Sequence, residues 1–445
     1  MLIFISNEPR TYAWGSKDAI PEILQKAPTG EPQAEVWLGD HIGDPAQVAG
    51  CYGEQLTLID LIKQDPKIYG VSGGPLPFLV KILGIGGPLS LQVHPNISQA
   101  EAGFAEEEQL KIPLDDPRRS FKDKNHKPEL LVALTPVRAL FGFRPIRDLL
   151  DDLATIATHA GTCGVRGSQP LLALATRLSA KFENKVARSF DNAATNAEEA
   201  AARATRDYML DWVFSETTEV TEALNALKNI FVGANATMIF GFSQVRFEVL
   251  QELLTKHPND PGALVSLMTN IVQLAPGEAL FVETGQLHAY LSGVGVEVMA
   301  SSDNVIRAGL TPKHVDISKL RSILSLQENA AKPFLGVRSS PGVTSWEPDI
   351  SDFSLHRVRV APIEAPFELA AENVAPMVRF ETPNPVVLLA TEGQLWVERV
   401  GDQNVAGDSL EVARVRKGQS LYISTGDEIE ISGHGEAFLA TVAQK

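Results

Sequence analysis

Three polar side chains share one face of the segment LSLQVHPN, residues 89–96. At a two-residue period Ser90, Gln92 and His94 point one way, and Leu89, Leu91 and Val93 point the other. The chain before it, PFLVKILGI, is apolar, so the polar face is expected to look into a lined interior and not into solvent. Side chains at i and i+2 of a strand project into one space, which is how a β-barrel offers two ligands to one metal ion. Further along, NHKPEL (125–130) puts His126, Lys127 and Glu129 at the mouth of the apolar run LLVAL, where a buried carboxylate needs a partner charge. His288 follows ALFVET in a glycine-flanked turn. Two imidazoles, one carboxylate and one amide oxygen suit a borderline divalent ion such as zinc, and a site charge of about +1 makes a strong Lewis acid. Plainer readings stand beside this one: His94 as a core histidine bonded to backbone, and Lys127 with Glu129 as an ion pair.

A second group lies in SSDNVIRAGLTPKHVD (301–316). Gly309 and Pro312 argue for a shaped loop carrying Asp303, Asn304, Arg307 and Lys313. Arginine as a planar fork and lysine as a point charge make a phosphate clamp, with a solvated surface loop as the alternative. The chain carries a net charge of −16, so an anionic ligand has to be drawn by a local cluster of this kind. The same charge, with no basic run of five or more residues, argues against nucleic acid.

The two cysteines, Cys51 and Cys163, form no CxxC and no cluster with histidine, which excludes a disulfide framework and suits a reducing compartment. MLIFISNEPRTYAWG lacks a basic leader region and reads as a first strand. No stretch approaches eighteen apolar residues, so a soluble, cytoplasmic chain with no membrane partner is expected. GIGG (84–87) and SGG (72–74) lack dinucleotide or P-loop spacing and read as turns. The acidic run at 106–108 and the charged helix around 198–207 read as wet faces. Tyr12, Trp14 and Trp37 read as core aromatics, with lining of a sugar site as the alternative for Trp.

Elements must hold these groups in place, and 445 residues are enough for two or three domains. To about residue 140 the chain is short strands broken by Gly and Pro, such as EVWLGDH (35–41), PFLVKILGI (77–85) and PELLVALTPV (128–137). After Arg144-Pro145 the apolar spacing changes to three and four. DLLDDLATIATHA, QPLLALATRLSAKF, NAEEAAARATRDYMLDWVF, VTEALNALKNIF and QVRFEVLQELLTKH read as amphipathic helices, the last ending before Pro258. Strands return to about 310, and a mixed connector leads to an all-β stretch from roughly 340. PGEALFVETG (276–285) is echoed by KGQSLYISTG (417–426), which suggests two related β-barrels. Three residues beyond Gly285 stands His288, whereas three beyond Gly426 stands Ile429, so the second unit is expected to be structural.

The motifs YAWGS (12–16), EVWLGDH (35–41), LVKILG (79–84), LSLQVHPN, NHKPEL, ALFGFRP (139–145), PGEALFVETGQLHAYL (276–291) and VEVMASSDNVIRAGLTPKHVD (296–316) together resemble the type I mannose-6-phosphate isomerases, also called phosphomannose isomerases. The likeness spans everything but the helical insert and the C-terminal stretch. It departs from the family pattern at GIGGP between LVKIL and LSLQ, and at EVWLGD. The resemblance implies a mainly β fold of two cupin-like jelly-roll barrels with an α-helical insertion domain: a catalytic barrel of 1–145 plus 263–335, an insertion of 146–262 and a second barrel of 336–445. It implies zinc, one ion per chain, on Gln92, His94, Glu129 and His288. Arg307 falls on a catalytic arginine, and Ser90, Lys127, Tyr290, Glu297, Asp303 and Lys313 fall on a substrate pocket.

The implied reaction interconverts mannose 6-phosphate and fructose 6-phosphate through an enediol, and needs a base near C1 and C2, an electrophile and a grip on the phosphate. Glu297, Asp303, His126 and Lys127 qualify as the base by type, with Glu297 preferred. Arg307 and Lys313 are left to divide the phosphate and the developing charge between them. A phosphosugar is the expected partner and a monomer the expected state. A non-catalytic, metal-binding cupin that binds a phosphosugar is the alternative, and an isomerase of another phosphosugar a third.

Overall fold

The computed structural model describes residues 1–49, 56–165, 168–187, 194–234, 236–362, 373–400, 411–426 and 428–444. Cys51 lies outside them. The site is built on a nine-stranded antiparallel sheet: β1 (Glu35–Leu38), β2 (Phe78–Ile85), β3 (Leu91–Val93), β4 (Glu129–Ala133), β5 (Val137–Phe143), β6 (Thr269–Leu274), β7 (Ala279–Val282), β8 (His288–Ala300) and β9 (Ile306–Gly309). The main path runs β9-β3-β8-β2-β1, with β4 and β5 also paired to β8. The thirteen-residue β8 is the spine, pairing with β3 and β5 through its first half and with β2 and β4 through its second.

Strand parity decides what this sheet shows to each side. Val36, Leu38, Phe78, Val80, Ile82, Leu130, Val132, Val296 and Val298 join one buried apolar cluster, shared with Trp346, Leu355, Val387 and Phe438 of a second sheet. The intervening residues Trp37, Lys81, Glu129 and Glu297 therefore face the other way, which is where the polar site lies. At about 25 cal/mol per Å² of apolar area removed from water, the shared cluster is what clamps the two sheets together.

Among the described residues the second sheet has ten strands, ordered Val337–Ser340, Val343–Trp346, Ser354–Val360, Glu428–Thr441, Val386–Val400, Ser420–Ile423, Leu2–Ser6 and Gln47–Val48 along its main path. MLIFIS does form a strand, but Leu2–Ser6 pairs with Ser420–Ile423 in this sheet and not in the one that carries the site. Val386, Leu388, Val397, Leu421, Ile429 and Leu439 build an aliphatic cluster of the second sheet's own. The sequence echo holds as geometry. Ala279–Val282 and Ser420–Ile423 are both strands, each entered through a glycine in the left-handed region, Gly277 at φ 86° and Gly418 at φ 83°.

The five long helices fall where the periodicity puts them, at Ile146–Thr162, Ser168–Ala187, Ala194–Val213, Thr218–Phe231 and Gln244–Lys256. They bury Leu149, Leu153, Leu174, Leu210, Leu227 and Leu253 in a common core that reaches Leu91, Val93 and Ile306 of the site sheet. A short helix, Gly262–Ser266, carries the chain back to β6.

Four sequence readings are corrected. Residues 306–309 are strand β9 and not loop, because their backbone pairs with β3. The acidic run 106–108 lies on the helix Ile97–Gln109 and is not uniformly wet: Glu107 is fully buried, accepting from the backbone N–H groups of Ser120 and Phe121 and pairing with Arg119 and Lys319. In the segment 198–207, Arg206 is buried and donates to the carbonyls of Leu326 and Arg144. Cys163, exposed at a helix end, does have a histidine neighbour, since His159 one turn earlier puts Nε2 3.7 Å from its sulfur. No helix among the described residues is long and apolar enough to cross a membrane.

Candidate metal centre

The side chains of His94, Glu129 and His288 meet at one buried point, their ligating atoms within 4.8 Å of one another. Each arrives from a different element. His94 follows the last residue of β3, Glu129 opens β4 and His288 opens β8. Gln92 stands directly opposite His288 across the β3–β8 pair and opposite Arg307 across the β3–β9 pair, so three functional side chains form one cross-strand row. The Gln92 side-chain nitrogen lies 3.4 Å from His288 Nε2.

The hydrogen bonds around the two imidazoles fix their tautomers. His94 Nδ1 donates to the Asn304 carbonyl at 2.7 Å, and His288 Nδ1 donates to the Gln286 carbonyl at 3.1 Å. A carbonyl only accepts, so in each neutral ring the proton sits on Nδ1 and the Nε2 lone pair is left over. Both lone pairs are aimed at Glu129, whose Oε1 is 3.3 Å from His94 Nε2 and whose Oε2 is 3.3 Å from His288 Nε2. Burial pushes the His94 imidazole down to about 4, so the ring is neutral at pH 7. Burial raises the Glu129 carboxyl, but the charge of Lys127, 3.2 Å away, leads a larger opposing pull that holds it well below the usual carboxylate range. Lone pairs therefore face an ionised carboxylate in a dry pocket, and His94 Nε2 makes no hydrogen bond. A divalent cation shared by these donors turns that repulsion into ligation, and the N, N, O set with the Gln92 amide suits zinc.

The centre opens into a cleft of about 750 Å³. Arg10, Lys81, Lys122, Lys127, Lys256, Arg307 and Lys313 line it, against Glu35, Glu129, Glu297 and Asp303, so seven cations meet four carboxylates. A local excess of positive charge in a chain of net charge −16 is the signature of an anionic ligand. Arg307 Nε is buried and makes no hydrogen bond.

Ser90, Lys127, Tyr290, Glu297, Asp303, Arg307 and Lys313 all line this cleft. Burial, then the charge of Glu129, raises the Glu297 carboxyl to about 7 against the pull of Lys81 and Lys127. The Tyr290 phenol is held far above its ordinary value by burial and by Glu297. His126 is the exception: it is not part of the cleft wall, and its Nε2 lies 3.0 Å from both carboxylate oxygens of Asp352. Chain alternation explains this, since Lys127 and Glu129 point to the cleft while His126 and Pro128, the residues before each, do not.

Tyr12, Trp14 and Trp37 all line the cleft: Tyr12 and Trp14 sit on the turn before Gly15, while Trp37, on β1, is also buried in a small core cluster with Leu79 and Met299, so the core reading holds for it. Trp37 stacks under the Arg10 guanidinium at 4.4 Å and the Lys81 ammonium at 4.9 Å. Lys81 is a site residue that the sequence reading passed over. It is buried between Glu35 at 3.4 Å and Glu297 at 3.7 Å, and both carboxylates raise its pKa against burial. A lone lysine in FLVKILGI was the available signal.

Comparison with known proteins agrees with this geometry. Residues 2–146 match the family model for the catalytic domain of type I phosphomannose isomerase. Mannose-6-phosphate isomerase of Escherichia coli (strain K12) is 31% identical over 451 aligned positions, spanning 99% of this chain and 98% of that protein. The Homo sapiens mannose-6-phosphate isomerase is 32% identical over 372 positions, 78% of this chain and 80% of its own. A zinc-bound mannose 6-phosphate isomerase superposes with a TM-score of 0.76 at 28% identity, covering 100% of both chains. A mutant of phosphomannose isomerase from Salmonella typhimurium gives 0.78 at 27% identity, again over 100% of both chains.

Proposed function

The chain belongs to the type I phosphomannose isomerases, and we propose from that premise that it interconverts mannose 6-phosphate and fructose 6-phosphate with one zinc ion on Gln92, His94, Glu129 and His288. The observation that carries this reading is the buried meeting point of two imidazole lone pairs and an ionised carboxylate at the foot of a cationic cleft. Zinc, when bound, supplies fixed positive charge for the sugar oxygen on which negative charge develops.

The chain's own groups supply the rest. Glu297 is the base that moves the proton between C1 and C2 through an enediol, its raised pKa keeping it poised near neutral pH. Asp303 and Lys127 stand on the same wall, and His126 is left as a positioning group beside Asp352. Arg307, with its unbonded Nε, and Lys313 hold the phosphate and the developing charge, with Ser90 and Tyr290 shaping the pocket between them. The base of the cleft is buried, and out of water's reach each of these interactions is stronger than in water.

We divide the chain as 1–145 with 263–335, 146–262 and 336–445, the first and last units being cupin-like jelly rolls. The paired glycine-entered strands at Ala279–Val282 and Ser420–Ile423 support the two-unit reading. The chain is taken to act in the cytoplasm as a monomer, which light scattering at a mass near 48.2 kDa tests. The decisive experiment is to assay mannose 6-phosphate conversion before and after chelation and after zinc is restored. Activity should vanish and return. Zinc-loaded protein without activity on this substrate overturns the assignment.

A further inference from the structure

We infer that Asn304, locked by Asp123, is a positioning residue that sets the orientation of the zinc ligand His94; this rests on the metal site proposed above. Asn304 is fully buried, and every polar atom it has is engaged. Its Oδ1 accepts from the backbone N–H of Lys122 at 2.7 Å and of Asp123 at 3.2 Å. Its Nδ2 donates to the carbonyls of Asp123 at 3.0 Å and Asn125 at 2.8 Å, and to Asp123 Oδ1 at 3.1 Å. Its N–H donates to Ser302 Oγ at 3.2 Å. What remains is its carbonyl, and that is the acceptor for His94 Nδ1 at 2.7 Å.

Asp123 closes the knot from the other side. Its Oδ1 accepts from Ser302 Oγ at 2.9 Å and from the Asn125 N–H at 2.8 Å, while Oδ2 accepts from the Asp303 N–H at 2.7 Å. The segment 122–125 and the turn 301–304 are thereby tied into one rigid block. The peptide plane of Asn304 cannot swing without breaking several buried hydrogen bonds at once.

This matters because His94 stands just beyond the end of the three-residue strand β3, where its carbonyl accepts from the Gly285 N–H at 2.8 Å but that bond leaves the ring free to turn. The torsion of an imidazole about χ2 is soft and nearly two-fold, so the ring's own rotamer preference does not decide which nitrogen meets Glu129. The Asn304 carbonyl decides it, by capturing Nδ1–H and sending Nε2 toward the carboxylate. The same block also carries Lys122 and Asp303 on the cleft wall, so it positions charge for the substrate as well.

The test is zinc affinity, measured by competition with a chromophoric chelator on full-length protein, beside thermal stability and the kinetics of mannose 6-phosphate turnover. Asn304→Ala and the volume-conserving Asp123→Asn should each weaken zinc binding about 10- to 100-fold, the usual effect of losing a partner behind a metal ligand. Leu227→Ala, in the helical core, supplies a matched loss of melting temperature and should leave zinc affinity unchanged. If Asn304→Ala does not fold, Asp123→Asn alone decides. A loss of less than about 10-fold in the folded variants, the lower limit of the expected effect, or an equal loss in Leu227→Ala, overturns the inference. Wild-type protein that binds no zinc overturns the metal site itself and is told apart at the first titration.

Discussion

At the scale of single residues the chemistry turns on a few buried charges, and Glu297 is the one whose protonation can be followed. Raised to about 7, it is ionised and able to take a proton only above that pH, so kcat/KM should climb with pH through the midpoint. Glu297→Gln should lower kcat by about 10²- to 10⁴-fold, the range for a lost general base, with zinc content unchanged. Near-normal turnover would move the role to Asp303 or Lys127. Glu35 adds a second test. Its negative charge pushes Glu297 up, and it holds Lys81 by an ion pair at 3.4 Å. Glu35→Gln removes that push and frees Lys81 for Glu297, so the acidic limb of the profile should shift to lower pH. Bound zinc lowers the midpoint in both proteins, which leaves the displacement between the two profiles as the readout. A limb that stays in place or moves upward belongs to another group.

At the scale of elements, what was legible depended on whether the signal was local. A polar residue beside apolar neighbours is visible in the sequence: Gln92 and His94 stood out on an apolar strand, Glu129 at the mouth of an apolar run and His288 in a glycine-flanked turn. The five long helices were visible in their three- and four-residue spacing. The helix Ile97–Gln109 was not, because its buried face carries Glu107 in place of an apolar residue, flanked by two more glutamates. Nothing nearby announces its partners: Arg119 lies on the loop beyond, and Lys319 is 212 residues away. Lys81 escaped for a similar reason, since its carboxylates come from β1 and β8. The Glu107 cluster now makes a prediction at this scale. Glu107→Ala takes the buried carboxylate from the Arg119 guanidinium, leaving it only the half-exposed Glu108, and frees the backbone N–H groups of Ser120 and Phe121. Removing one partner of a buried pair costs about 3–5 kcal/mol, which a urea denaturation curve would read as a clear drop in midpoint at unchanged slope. A change below about 1 kcal/mol, the scale of an exposed pair, would mean that water reaches the site.

At the scale of the molecule, the strand pairing ties the sequence-based units together more closely than their boundaries suggest. Among the described residues the second sheet contributes no ligand to the metal point, yet it holds the strand Leu2–Ser6 through Ser420–Ile423. It also covers Phe78, Val80, Leu130 and Val298 on the back of the strands that carry Lys81, Glu129 and Glu297, and it reaches the segment of Lys127 through Asp352 and His126. A fragment ending at residue 335 would leave that apolar face in water and Leu2–Ser6 as an unpaired edge, a template for aggregation. Residues 1–335 expressed alone should therefore fail to give a cooperative unfolding transition or bind zinc, although every proposed ligand is present. Co-expression with residues 336–445 should restore both, because the shared cluster and the β-pairing are non-covalent. If residues 1–335 melt cooperatively and bind zinc by themselves, the second sheet is an appendage, and the stability of the site is set by the helices that pack on β3 and β9 from the other side.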